Sequence, residues 1–164
     1  MKHMKTYRGS RERGKVWIES AEYEGGWRDL PLRPDVFDHS PSGFEWGYLG
    51  SGPAQLALAI LCDYLGDPQL AVRFHQELTE ESVARWKDDE WTLTEQGLAQ
   101  WFNKASRDER LRLTREAIML ERQLDGMYES ESDFDFRRAE ELNDRIIELS
   151  VRADELRRAR RSGR

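Results

Sequence analysis

The pattern of apolar and polar positions divides the chain into two parts of different character. In the first part, Val16 and Ile18 alternate with more polar neighbours, which is the period of a half-buried β-strand. Short runs of this kind predict three strands, over Lys5–Arg8, Lys15–Glu19 and Trp27–Leu32. Glycine-containing turns separate them, so we expect a small antiparallel sheet.

Apolar runs at helical spacing follow the strands. Residues 54–65 are apolar on nearly all sides, which is typical of a helix at the buried centre of a domain. We expect Ser51 to cap this helix and Pro53 to lie in its first turn. Residues 92–95 form a capping-box pattern before a later helix. The predicted helices are Ala54–Leu65, Pro68–Leu78, Thr79–Trp86 and Glu95–Lys104.

The second part of the chain carries two heptad seams. Behind a second capping box at residues 106–109, and again after an acidic link, apolar residues recur at alternating steps of four and three. Two such seams joined by a short link predict an antiparallel helical hairpin, a short coiled coil, with its tip near residues 125–135. We expect Gly126 to end the first arm and Ser132 or Asp133 to cap the second. The seam residues are Leu113, Ala117, Leu120, Leu124 and Met127, then Ala139, Leu142, Ile146, Leu149, Ala153 and Leu156.

Together these elements predict an α+β fold. A small antiparallel β-sheet packed with a helical cluster occupies residues 1–105, and the helical hairpin occupies residues 106–164. The 164 residues are 38% hydrophobic and 35% charged, so apolar residues must concentrate in one region while the hairpin is largely solvated.

Charge and cysteine content exclude several classes of protein. A net charge of −6 and a pI near 5.2 argue against a dedicated duplex-binding protein, which needs a basic face to neutralise phosphates. Cys62 is the single cysteine, so no disulfide forms within one chain and a reducing compartment fits. The N-terminus lacks a signal-peptide core and no apolar run could cross a bilayer. We expect a cytoplasmic protein with no membrane association.

Three segments of the first part resemble an uncharacterised prokaryotic and phage family, a domain of unknown function, over residues 7–102. The resemblance implies no known activity and does not extend to the hairpin. The matching segments are Tyr7-Arg8-Gly9, then His39-Ser40-Pro41-Ser42-Gly43-Phe44-Glu45-Trp46-Gly47-Tyr48 with Gly50-Ser51-Gly52-Pro53-Ala54-Gln55-Leu56-Ala57-Leu58-Ala59, and Trp91-Thr92-Leu93-Thr94.

The hairpin is similar to the UVR motif, a short helical hairpin that serves protein contacts in excision-repair proteins and in some partners of bacterial proteases. The tip of this chain is longer by a few residues. The resemblance implies a role in binding another protein, and it lies in Leu120-Glu121-Arg122-Gln123-Leu124 and in the spacing of Phe136, Ala139, Leu142, Asp144 and Ile146.

One candidate ligand site is the glycine-rich loop before the central helix. A Gly-Ser-Gly turn at a helix start offers N–H groups and the positive end of a helix dipole to a small anion or nucleotide. The loop lacks the Lys-Ser/Thr ending of a P-loop, so the alternative is that its glycines only let the backbone pack closely. The candidate residues are Trp46, Tyr48, Gly50, Ser51, Gly52 and Gln55.

Other polar and aromatic residues of the first part have a functional and a structural interpretation. Asp38, His39 and Glu45 could form an acid/base pair or hold a metal, or could be ordinary hydrogen-bonded groups. The six tryptophans could include a platform for stacked bases, or could pack in and around the core. In both cases we favour the structural interpretation, and we expect no catalytic residue, metal or cofactor.

A second candidate site is the tip and end of the hairpin. Acidic residues crowd the tip with no basic residue among them, and arginines close the chain, where they complement the negative end of the last helix. The alternatives are solvated link residues and a frayed tail. The candidate partner-binding residues are Asp125, Glu129, Glu131, Asp133, Asp135, Arg157, Arg158, Arg160 and Arg161.

The sequence therefore favours a non-enzymatic protein-interaction or regulatory protein, for example a modulator of a phage or host factor, that engages a protein partner through its hairpin. Self-association through the hairpin is a second option for the partner. One alternative function is a domain that binds a small anion or nucleotide at the glycine-rich loop. Another is a nucleic-acid accessory protein that uses the terminal arginines.

Overall fold

The computed structural model describes residues 4–129 and 135–162, with side chains up to residue 159. Within these residues, four strands form one antiparallel sheet in the order β3-β2-β1-β4. They are β1 (Thr6–Ser10), β2 (Lys15–Glu19), β3 (Trp27–Asp29) and β4 (Glu90–Thr94). The helices are α1 (Ser51–Leu65), α2 (Pro68–Glu81), α3 (Glu95–Glu129) and α4 (Phe136–Ser162), with short 3₁₀ helices at Glu24–Gly26 and Val83–Arg85. The predicted α+β fold is confirmed.

The sheet forms where the alternating pattern predicts it, with one additional strand. Tyr7 of β1 and Ile18 of β2 lie opposite each other and are fully buried, whereas Trp17 on the other face is half-buried. The additional strand is β4, in which Thr94 pairs with Thr6. The capping box predicted at residues 92–95 is therefore wrong in position. Thr94 is the residue that caps α3, since its Oγ1 accepts a hydrogen bond from Gly97 N–H at 3.1 Å.

Helix α1 is the centre of the first part of the chain, and every residue from 52 to 62 is buried. This confirms the prediction from its all-round apolar pattern. The predicted cap is wrong, because Gly50 holds the cap position and no side chain caps the helix. Ser51 is the first residue inside the helix, and the carbonyl of Gly50 accepts the N–H of Ala54 at 3.1 Å.

Two predicted helix boundaries are also wrong. Residues 79–86 do not form one helix, because α2 continues to Glu81 and a short 3₁₀ helix follows at Val83–Arg85. Within α2, the hydroxyl of Thr79 donates to the carbonyl of His75 at 2.7 Å. No helix begins at Ser106, because α3 is continuous from Glu95 to Glu129 and passes Gly126 as well. Ser106 is buried, and its hydroxyl donates to the Asn103 carbonyl one turn earlier instead of capping a new helix.

The chain divides into two compact units, residues 1–101 and 102–164. The boundary between them lies inside α3, after residue 101, whereas the predicted boundary was after residue 105. That the two parts are independent domains stays a prediction.

In the second unit, α3 and α4 pack along the predicted seam. Leu113 and Ala117 of α3 are buried, and the later seam positions of that helix are half-buried. Arg145 of α4 donates to Glu116 of α3 at 3.2 Å. Asp135 caps α4 by accepting the N–H of Arg138 at 3.1 Å, while the predicted caps Ser132 and Asp133 lie outside the described residues. All six predicted seam residues of α4 are buried: Ala139, Leu142, Ile146, Leu149, Ala153 and Leu156.

Candidate functional site

Trp46 in the glycine-rich loop packs in the hydrophobic core, with 3% of its surface exposed. Its indole N–H donates to the carbonyl of Asp88 at 2.9 Å. Arg11 lies over its ring, 4.5 Å from the centroid, and donates to its carbonyl at 2.8 Å. Trp91 meets the ring edge-on, and Trp86 stacks on Trp91. The three tryptophans form one packed cluster, and Trp46 offers no open face to a ligand.

Two glycines of this loop are required by close backbone packing. Gly47 has φ +88°, and a β-carbon there would lie 2.7 Å from the carbonyl oxygen of Trp86. A β-carbon at Gly52 would lie 2.6 Å from that of Glu45. Both contacts agree with the interpretation that the glycines let the backbone pack closely.

Gln55 is fully buried and holds the preceding loop. Its Oε1 accepts the backbone N–H groups of His39 (2.7 Å) and Ser40 (3.2 Å). Its Nε2 donates to the carbonyls of Leu32 (2.7 Å) and Phe37 (3.1 Å). Both donors and both acceptor sites of the amide are thus occupied by backbone groups.

The remaining candidates of the loop lie at the surface. Tyr48 is 49% exposed, and its ring lies against Gly50, which is exposed like Ser51. The six candidate residues therefore divide into a buried half and an exposed half. Binding of a small anion or nucleotide at this loop stays a prediction.

An ion cluster centred on the Asp63 carboxylate joins the sheet to α1. Asp63 of α1 accepts hydrogen bonds from the hydroxyl of Tyr7 (2.8 Å) and from Lys5 (2.9 Å), and its second oxygen accepts from Arg28. The Asp63 side chain is 7% exposed. Burial, together with the neighbouring Asp63 carboxylate, raises the pKa of Tyr7 far above its usual range. Tyr7 is thus an un-ionised structural donor, which accounts for the first residue of the Tyr7-Arg8-Gly9 segment.

His39 and His75 form a pair that is not apparent from the sequence. Their Nε2 atoms lie 2.7 Å apart. Nδ1 of His75 is 2.6 Å from the carbonyl of Val72, which can only accept, so Nδ1 carries the proton and Nε2 is an acceptor. That Nε2 faces both His39 Nε2 and the amide nitrogen of Gln76, the latter at 3.0 Å. Burial lowers the pKa of His75, and the neighbouring His39 adds to this effect. The pair joins residues 36 positions apart, so no local sequence pattern could have revealed it.

The structure does not bring Asp38, His39 and Glu45, the predicted acid/base or metal-binding residues, together in one site. Glu45 lies near Arg11 at 4.0 Å, Asp38 is exposed, and His39 contacts His75. Among the described residues, no three histidine, cysteine, aspartate or glutamate side chains are grouped as metal ligands would be. Cys62 is buried, and burial raises the pKa of its thiol.

The solvent face of the sheet carries a shallow groove of about 320 Å³ along β1. Arg13 lies over the ring of Trp17 and Lys15 over that of Trp27, an alternation of aromatic and basic groups that only strand pairing reveals. Acids match the bases, since Arg8 pairs with Glu19 at 2.8 Å and Lys15 with Asp29 at 2.9 Å. This face therefore lacks the excess of positive charge that a nucleic-acid backbone requires. The groove is lined by Arg8, Gly9, Arg13, Trp17, Glu19, Glu90, Trp91 and Thr92.

The hairpin exposes apolar side chains outside its seam. On α3, Leu111 and Ile118 are 37% and 41% exposed, and on α4, Ile147 and Val151 are 53% and 52% exposed. Each pair lies on a row with the 4-3-4 spacing that keeps residues on one side of a helix. We call Leu111, Arg115, Ile118 and Arg122 the α3 outer row, and Glu140, Asp144, Ile147 and Val151 the α4 outer row.

The predicted partner-binding residues at the tip and the end of the hairpin have varied roles. Asp125 and Glu129 are exposed on the last turns of α3, and the carboxylate of Asp135 caps α4. Arg157 pairs with Asp154 at 3.5 Å, and Arg158 is exposed near it. Glu131 and Asp133 lie outside the described residues, as do the side chains of Arg160 and Arg161. Binding of a protein or nucleic acid by these residues stays a prediction.

The fold and these sites define a small α+β protein with a helical hairpin and tightly packed tryptophan and ion clusters in its first unit. Residues 7–104, more than half of the chain, match the sequence profile of a protein family described as Family of unknown function (DUF6166). The chain belongs to that family. No curated protein and no solved structure matches it. In the described part of the chain, no helix combines the length and apolar content needed to cross a membrane.

Proposed function

We propose that this protein is a non-enzymatic protein-interaction or regulatory protein that engages a protein partner through its C-terminal hairpin. A role in modulating a phage or host factor belongs to the same proposal. The observation that carries it is the exposure of Leu111, Ile118, Ile147 and Val151 on a hairpin whose seam is already packed. Exposed apolar groups rimmed by charges are typical of protein contact surfaces.

The hairpin supports this proposal because its fold does not use these residues. The seam buries Leu113 and Ala117 on α3 and six residues on α4, so the two helices hold together without the outer rows. Met119, beside the α3 outer row, is 63% exposed and adds an adaptable apolar side chain. The similarity of the hairpin to the UVR motif points in the same direction.

The proposal is tested by affinity capture with the full-length protein from cells that produce it. Ile118→Gln/Ile147→Gln removes the apolar groups of both outer rows at exposed positions, so the fold is expected to persist. Thr114→Gln/Ser150→Gln is the matched control, since both residues are exposed on the same helices outside the rows. We expect a captured protein that the control retains and the first variant loses at least about fivefold, because about 1 kcal/mol of contact energy is lost. Equal capture by both variants would contradict the proposal.

A further inference from the structure

We infer that the hairpin binds a second copy of this chain, with the α3 outer row of one copy against the α4 outer row of the next. This inference rests on the proposed function, for which it names a partner. The two rows have the same spacing, exposed apolar residues and opposite charges. Each of these three features is needed for the contact.

The spacing and exposure show that each row has the form of a helix-packing seam. Steps of four, three and four residues are those of the buried seam between α3 and α4. On the α3 outer row, Leu111 and Ile118 alternate with Arg115 and Arg122. On the α4 outer row, two acids precede two apolar residues. A helix can therefore pack along either row as α3 and α4 pack along the seam.

The charges of the rows are opposite in sign and have no ion-pair partner among the described residues. Arg115 and Arg122 give the α3 outer row a charge of about +2, and Glu140 and Asp144 give the α4 outer row about −2 at neutral pH. Other arginines of the hairpin are paired within it: Arg112 with Glu109 at 2.7 Å, Arg138 with Glu141 at 3.7 Å, Arg145 with Glu148 at 2.7 Å and Arg152 with Glu148 at 3.4 Å.

Unlike rows complement each other best when the two helices run parallel. Ile118 then lies opposite Ile147 and Arg115 lies opposite Asp144, so that an apolar pair lies beside an ion pair. Two identical rows would instead bring two sets of like charges together, which is unfavourable. The charges therefore select a contact between unlike rows.

Where each copy contributes one row to the contact, the interface is head-to-tail and each added copy presents another unoccupied row. Because each row is short, the interface belongs to the small class, and we expect the association to be weak and dependent on protein concentration. The association should weaken in about 1 M NaCl, where the screening length falls to about 3 Å.

Sedimentation equilibrium of the full-length protein and two charge-reversal variants tests the inference. The wild-type average mass should rise above 19.3 kDa with concentration. Arg115→Glu/Arg122→Glu makes both rows acidic, and Glu140→Arg/Asp144→Arg makes both basic, so each variant alone should remain a monomer. An equimolar mixture should associate again, because every row then finds one of opposite charge. Arg13→Glu/Arg85→Glu, with two exposed arginines of the first unit reversed, should behave as the wild type.

Three results would overturn the inference: a wild type that is monomeric over the whole concentration range, variants that associate alone as the wild type does, or a mixture that stays monomeric. Recovery in the mixture also shows that the variants are folded. A monomeric wild type whose Ile118 and Ile147 still capture another protein would overturn self-association and leave the proposed function standing.

Discussion

Trp91 of β4 lies directly against Gly9 of β1, so that a β-carbon at Gly9 would lie 2.2 Å from the indole Nε1. The ring cannot withdraw easily, because Trp46 meets it edge-on and Trp86 stacks on it with ring centroids 4.4 Å apart. Gly9, the last residue of the Tyr7-Arg8-Gly9 segment, therefore leaves the space against which the tryptophan cluster packs.

Gly9→Ala should lower the free energy of unfolding by about 1–3 kcal/mol, because the added methyl group forces Trp91 out of its packed position. Urea unfolding followed by tryptophan fluorescence measures this loss. Gly126→Ala is the control, since nothing lies within 4 Å of its β-carbon position in α3, and alanine there should stabilise by about 0.5–1 kcal/mol. Similar effects at the two glycines would show that the contact with Trp91 is not tight.

Asp63→Ala should cost about 1–3 kcal/mol, because the buried hydroxyl of Tyr7 loses its acceptor, whereas Lys5 and Arg28 remain accessible to water. The change in unfolding free energy is again measured in urea. Asp35→Ala removes a carboxylate that pairs with Arg33 at 3.0 Å but is 64% exposed, so its loss should change the unfolding free energy much less than the loss of Asp63. A loss at Asp63 as small as that at Asp35 would contradict the assigned role of the cluster.

Gln55→Leu should destabilise the protein by at least about 2 kcal/mol, because four backbone groups of residues 32–40 lose their partner in a buried place. Hydrogen exchange should accelerate at the amides of His39 and Ser40, which the glutamine holds. The exposed Gln100 provides the control, and Gln100→Leu should change stability by less than about 0.5 kcal/mol. Unchanged hydrogen exchange at residues 39 and 40 would show that Gln55 does not hold this loop in place.

Acidification should destabilise the protein through His75. Because its folded pKa lies below the unfolded value near 6.5, the unfolded chain takes up the proton first. The contribution of the neutral ring is fully present above about pH 6.5 and is lost as pH falls from there towards the folded pKa. Protonation at Nε2 would also set two N–H groups against each other across the 2.7 Å contact with His39.

Unfolding free energies of the wild type and of His75→Gln, measured from pH 7.5 to 5, isolate this effect. The wild type should lose more stability over the range than the variant, in which this titration is absent. Parallel curves for the two proteins would show that His75 does not sense pH.

The sequence predicted most of the elements because their periodicity reflects burial. The alternation around Val16 and Ile18 predicted β2, and the heptad spacing predicted all six buried seam residues of α4. The wrong predictions concern the ends of helices, where the same local pattern can either cap a new helix or lie inside a longer one. Ser106 resembles a cap, yet its hydroxyl bonds back to the preceding turn and the helix continues.

The contacts that define the candidate sites were less predictable, because they join residues far apart in the chain. Strand β4 forms by pairing with β1, which places Trp91 over Gly9. The His39–His75 pair depends on the packing of α2 beside the loop that Gln55 holds. The spacing of residues along the sequence shows that each helix of the hairpin carries more than one row of apolar side chains. Which of these rows is buried is decided by the packing of α3 on α4.

Site-specific photo-crosslinking in cells that produce the protein tests most directly whether the hairpin binds a protein. A photoreactive amino acid replaces Ile118 or Ile147 in the full-length chain, and exposed Trp27 in the sheet is the comparison position. We expect discrete protein crosslinks from positions 118 and 147 that are absent from position 27, with a self-crosslink at about twice the mass of one chain if the second copy is the partner. No protein crosslink from either hairpin position, or the same crosslinks from position 27, would show that the hairpin is not the binding surface.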